Sequence, residues 1–134
     1  MNKKFVYLTI TSILWIQWSC TGRSKPTEEP KFYSSDNPGK WEVQEPFHIP
    51  KVTYKKGSNN DQVNVVVPLQ VSPEHYIEVI LLTDGNHREL AKKSLRRSES
   101  PEATLDVPSE NHSKLYVVIK CNLHDMWEVE VKPN

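Results

Sequence analysis

The sequence predicts an all-β domain, an immunoglobulin-like antiparallel sandwich of about seven short strands. Three features predict it: short apolar runs rich in β-branched and aromatic residues, turn-forming residues between them, and a clean apolar/polar alternation near the C-terminus. The runs are Val63 to Val67, Tyr76 to Leu82, Leu115 to Lys120 and Met126 to Val131. In the last, Trp127, Val129 and Val131 alternate with Glu128, Glu130 and Lys132, the period of a strand with one face buried and the other in water. Asp84-Gly85-Asn86 marks a tight turn directly after the second run. Arg88 to Arg97 has some helical look, but Ser94 and the Ser98-Glu99-Ser100-Pro101 stretch suit an exposed strand or loop equally well. Trp41 and Trp127 are expected in the core, and the Lys92-Lys93 and Arg96-Arg97 doublets on a solvated face.

With 134 residues, 37% of them hydrophobic and 25% charged, the chain has material for one globular domain. Seventeen basic side chains balance seventeen acidic ones, so the positive excess of a nucleic-acid binder is missing. Neither G-x-G-x-x-G nor G-x-x-x-x-G-K occurs, which removes nucleotide binding by those motifs. There is also no G-x-S-x-G, H-E-x-x-H or C-x-x-C, so hydrolase chemistry has little support.

Residues 1–19 read as a bacterial export signal: Lys3 and Lys4 precede an uncharged run from Phe5 to Trp18 that is too short for a comfortable membrane span. Ser19 just before Cys20 is the small residue a lipoprotein signal peptidase requires, so Cys20 is the expected lipid-bearing N-terminus. Gln17 and bulky Trp18 leave ordinary secretion or an uncleaved anchor as alternatives. Loss of residues 1–19 leaves fifteen basic groups against seventeen acidic ones. Residues 20–40, with Pro26, Pro30 and Pro38, read as a flexible tether, and residues 41–134 as the domain. The expected location is the bacterial cell envelope, with the protein held to a membrane through Cys20 and facing the periplasm or the cell surface.

The chemistry-bearing residues begin with Cys121-Asn122-Leu123-His124, between two apolar runs, where a thiolate and an imidazole three residues apart can face one ion. Taken alone, Cys121 fits an inert buried thiol, or a disulfide partner for Cys20, equally well. His48, in Phe47-His48-Ile49-Pro50, and His75, in Pro73-Glu74-His75-Tyr76-Ile77, would each alone be ordinary surface histidines.

Three ordered segments, Pro46 to Pro50, Leu69 to Ile77 and Cys121 to Trp127, together with Pro38 to Glu42 and Ser100 to Ala103, resemble the iron domain of desulfoferrodoxin and neelaredoxin, the superoxide reductases. Family members carry E-K-H-V-P, H-P-x-x-x-x-H-Y-I and C-N-x-H-G-x-W segments, and the likeness covers residues 38–134, to the single-domain type. The resemblance implies a non-haem iron (Fe2+/Fe3+) held by histidines and an axial cysteine, which reduces superoxide to peroxide with electrons from an unidentified donor. It maps the ligands onto His48, His75, Cys121 and His124. It also implies that backbone N–H groups around Leu123 and His124 hydrogen-bond the sulfur, and that Cys121 is not available for a bridge to Cys20.

The departures from the family pattern are specific. Leu69, six residues before His75, occupies the position of a fourth histidine and cannot donate a lone pair. The Glu-Lys pair of the first segment is Pro46-Phe47, with Glu45 one residue displaced and Lys51 nearby as the candidates to replace it. Asp125 stands where the family has glycine and adds negative charge. Water, or a recruited His87 or His112, could complete the ligand set; otherwise both are surface histidines. Two other readings stay open: an iron- or zinc-holding or redox-sensing module without turnover, since three imidazoles and a thiolate also suit tetrahedral zinc, and a metal-free envelope interaction domain.

Overall fold

The computed structural model describes residues 31–39, 45–108 and 113–133. Trp41, Cys20 and His112 lie outside the described residues. The elements in chain order are β1 (Phe32–Tyr33), a single helical turn α1 (Glu45–His48), β2 (Lys51–Lys55), β3 (Asp61–Val66), β4 (Ile77–Asp84), β5 (Glu89–Ser94), β6 (Glu102–Val107), β7 (Leu115–Cys121) and β8 (Met126–Glu130). Five strands form one sheet in the order β1-β8-β7-β4-β5, and three form the other in the order β2-β3-β6. The all-β expectation holds, with eight strands among the described residues against about seven expected. The additional one, β1, lies in the segment read as tether and runs parallel to β8, with Phe32 opposite Met126.

Strand chemistry explains the core. In β6, Ala103, Leu105 and Val107 are buried while Glu102, Thr104 and Asp106 are exposed. β3 presents Val63 and Val65 to the same interior, against Ile80, Leu82, Val117, Ile119 and Trp127 of the larger sheet. On the outer face, Gln62 donates to Asp106 at 2.9 Å and Thr104 to Asn64 at 2.9 Å, so polar cross-strand pairs match the register beneath them. Central β7 is buried on both faces, with Val117, Val118 and Ile119 all at 0% exposure.

Within Arg88 to Arg97, Glu89–Ser94 forms the edge strand β5, because pairing with β4 supplies its backbone with partners, and Arg97 lies in the turn that follows. Asp84 closes the β4–β5 turn: its carboxylate accepts from the N–H groups of Asn86 at 2.9 Å and Arg88 at 3.0 Å. Those two bonds, led by Arg88, hold the carboxyl below its usual range. Lys93 pairs with Glu99 at 3.0 Å and Lys92 stands 4.0 Å from Glu89, so both lysines of that doublet face solvent among carboxylates. Gly39 adopts φ 56°, and a Cβ there would stand 2.5 Å from the Tyr33 ring, so only glycine lets this turn close over β1. Tyr33 in turn tilts against Trp127, with ring centroids 6.3 Å apart. Among the described residues no helix is long and apolar enough to cross a membrane.

Candidate metal centre

Three separate segments bring their side chains to one end of the sandwich. His48 closes α1, where Ile49 precedes Pro50 and is steered out of helical geometry, ending the turn. Its ring is turned inward at 0% exposure, while neighbouring Phe47 faces solvent at 57%. His75 ends a tight turn in which Ser72 and His75 exchange backbone hydrogen bonds of 2.9 and 3.2 Å, and the Ser72 hydroxyl accepts from the His75 N–H at 3.1 Å. Cys121 is the last residue of β7, and His124 lies in the turn before β8. Where β4 meets the Cys121 end of β7 the register shifts between Ile77 and Val79. Such a bulge re-aims the chain locally, and bulges are common beside functional sites.

The donor atoms converge. His48 Nε2 lies 3.2 Å from His75 Nε2 and 2.9 Å from His124 Nδ1. With the Cys121 sulfur, all four donor atoms fall within 4.8 Å of one another. A single ring nitrogen carries at most one hydrogen, so His48 Nε2 cannot donate to both neighbours. Two nitrogens that each stand about 2.1 Å from one ion must lie within roughly 4.2 Å of each other, and both spacings, 3.2 and 2.9 Å, do. The donor set therefore fits a metal ion better than it fits mutual hydrogen bonds.

Electrostatics agree with that fit. Burial pushes the Cys121 thiol up, opposed by backbone N–H groups of Leu123, His124 and Asn122 that point at the sulfur. These are the hydrogen bonds expected around Leu123 and His124. Burial, then the nearby rings of His48 and His75, lower the His124 pKa and favour the neutral imidazole that a metal needs; Asp125 acts in the opposite sense.

Asn122 has a role that the sequence analysis missed. Its side-chain oxygen accepts from the Tyr76 N–H at 2.8 Å, its amide donates to the Glu74 carbonyl at 2.8 Å, and its backbone N–H donates to the Tyr76 carbonyl at 3.1 Å. It thus grips the residues on both sides of His75 and ties them to the residue after Cys121. The available signal was an Asn in a turn, a side chain that often bonds backbone groups. Asn122→Ala is expected to destabilise the chain by about 1–3 kcal/mol. It should also weaken metal affinity about 10-fold or more, measured by competition with a chelator.

Other expected participants are placed elsewhere. His87 does not join the cluster: it sits at positive φ (59°) in the β4–β5 turn, bonded to Glu128 at 2.7 Å and stacked on Phe32 at 4.1 Å. That turn lies at the opposite end of β4 from Ile77, so recruitment of His87 as a ligand is corrected. Leu69 is 9% exposed and belongs to the hydrophobic core. Glu45 opens α1, and Lys51 opens β2 in an exposed position. A cleft of about 190 Å³ beside His124 is lined by Lys31, Lys120, Asp125 and Met126. Arg97 lies 5.7 Å over the Tyr76 ring, next to His75.

A two-sheet sandwich with three histidines and one cysteine gathered at one end defines a metal-binding β-domain. The sequence pattern of the desulfoferrodoxin family matches residues 39–130, and this chain belongs to that family. It is 34% identical over 84 residues to a desulfoferrodoxin of Clostridium acetobutylicum, an alignment covering 63% of this chain and 62% of that protein. It is 29% identical over 107 residues to a superoxide reductase of Pyrococcus abyssi, covering 70% of this chain and 91% of that one. In structure it resembles a single-site variant of the superoxide reductase (neelaredoxin) of Ignicoccus hospitalis, with a TM-score of 0.62 and 26% identity, over 75% of this chain and 93% of the other. The domain is accordingly a superoxide reductase-like one with a His/Cys site.

Proposed function

We propose that this chain binds a non-haem iron at His48, His75, His124 and Cys121 and reduces superoxide to peroxide with electrons from an outside donor. The observation that carries the reading is the convergence of three imidazole nitrogens and one buried thiol within 4.8 Å. When bound, iron supplies one-electron redox chemistry, tuned by the electron-rich thiolate. The protein's own contribution is positioning. His48, at 0% exposure, is locked by packing, and Asn122 holds the His75 turn against Cys121. The N–H groups of Leu123 and His124 favour the anionic form of the sulfur in a buried place. Lys31 and Lys120 beside His124, with exposed Lys51 three residues after His48, raise the local concentration of an anion, while Asp125 lowers it.

The test is anaerobic loading of the full chain with Fe(II), followed by oxidation. About one iron per chain with a thiolate absorption band supports the reading; zinc alone retained, or no metal, overturns it. Leu69→His addresses the missing ligand. This substitution is expected to tighten Fe(II) binding and speed the reaction with superoxide, read by stopped-flow absorbance. Unchanged affinity would mean that position 69 serves only the core.

We further propose that residues 1–19 are an export signal, that Cys20 is acylated, and that a tether carries the domain in the bacterial cell envelope. The support is the Lys3-Lys4, apolar run and Ser19-Cys20 pattern. Radiolabelled fatty acid is expected on the wild-type chain and absent from Cys20→Ala; label retained by the variant would refute the anchor.

A further inference from the structure

Met126 opens β8, two residues after His124, and its half-buried side chain lines the 190 Å³ cleft next to that imidazole. A water occupies about 30 Å³ in the liquid, so the cleft admits a molecule the size of hydrogen peroxide. Two described residues carry sulfur, and the other, Cys121, is 2% exposed. Met126 is therefore the sulfur-bearing residue that lines the cleft. Lys31 and Lys120 line the same space, and Lys120 also reaches Glu78 at 2.9 Å.

We propose that the Met126 thioether is a peroxide-capture site, oxidised to the sulfoxide by hydrogen peroxide released beside His124. This rests on the peroxide-forming reaction proposed above. The step balances: a sulfur lone pair attacks one peroxide oxygen, the O–O bond breaks as the S–O bond forms, and sulfur loses two electrons. The second oxygen departs with both protons as water. Ammonium groups suit this step, since they stabilise negative charge on the departing oxygen and then donate to the sulfoxide oxygen. The product places a polar acceptor where β1 and β8 pair, Phe32 opposite Met126, and the lesion is reversible by methionine sulfoxide reductases.

The test uses the full chain in two arms, read by the mass of the peptide containing Met126. In the first, metal-free protein receives hydrogen peroxide with a free methionine derivative in the same tube. Met126 sulfoxide is expected at a rate within roughly tenfold of the free thioether, and reductase treatment should reverse it. An unmodified Met126 after the reference is consumed overturns the proposal. In the second arm, iron-loaded protein receives superoxide with catalase present to clear peroxide from bulk solution. Sulfoxide formed despite catalase supports capture at the source; sulfoxide formed only when catalase is omitted overturns it. If the first arm oxidises Met126 and the second yields no peroxide at all, the reductase reading fails and the capture claim with it, while the thioether's reactivity stands. Met126→Leu, which keeps the side-chain volume, should remain unmodified in both arms.

Discussion

Cys121→Ser is expected to remove the sulfur-to-Fe(III) absorption band of the iron-loaded, oxidised chain and to weaken iron binding by about 10-fold or more. The substitution is nearly isosteric, so the fold should survive at a position that is 2% exposed. What changes is the donor. A thiolate is soft and electron-rich, whereas a hydroxyl stays protonated and binds iron weakly. The backbone N–H groups of Leu123, His124 and Asn122, which point at the sulfur, would then face a neutral oxygen and lose most of their electrostatic purpose. Visible absorption and iron stoichiometry of the two proteins check this side by side. A band that persists in Cys121→Ser would assign the absorption to another group and sink Cys121 as a ligand.

Trp127→Ala should have the largest effect on stability. The ring is 1% exposed, sits in the shared core of both sheets and packs under Tyr33. Truncating a buried aromatic to alanine costs about 3–5 kcal/mol, through lost transfer energy and the cavity left behind. For a domain of this size that corresponds to a fall in Tm of roughly 15–30 °C. Trp127→Phe is the informative control, because the Trp127 Nε1–H is buried without a hydrogen-bond partner among the described residues. Phenylalanine removes that donor while keeping most of the volume, so its loss should be much smaller than that of alanine. Thermal unfolding followed by circular dichroism separates the two; equal losses would contradict a packing origin. Since β8 begins two residues after His124, the alanine variant should also bind metal less tightly.

Much of the fold was legible because strand signals are local. The alternation of Trp127, Val129 and Val131 was read directly, and the equally clean alternation of β6 was available in Glu102 to Val107. The strand β1 was not legible: two residues among prolines and charges carry no periodicity, and their strand character comes from β8 and from Gly39 closing over Tyr33. The one-turn helix α1 is too short for a periodic signal. Arg88 to Arg97 was ambiguous for the opposite reason, since its charged pattern suits several local conformations and only pairing with β4 selects one.

The candidate site divides in the same way. The identities of His48, His75, Cys121 and His124 were accessible through three motif segments, and Cys121 and His124 through their spacing. Their meeting was not, because the contacts join residues 27 and 76 positions apart. The clamp of Asn122 on Glu74 and Tyr76 spans a similar gap, which hid it. His87 was an equally eligible imidazole by composition, and only its place at the far end of β4 removes it. The sequence by itself determined the strand type of the apolar runs, the buried face of the alternating strands β6 and β8 and the supply of donor atoms, since these depend on side-chain chemistry and a two-residue period. Only the tertiary structure decided which donors share one point. That depends on the pairing register of β4 with β7 and on the bulge beside Ile77, set by packing across the whole core.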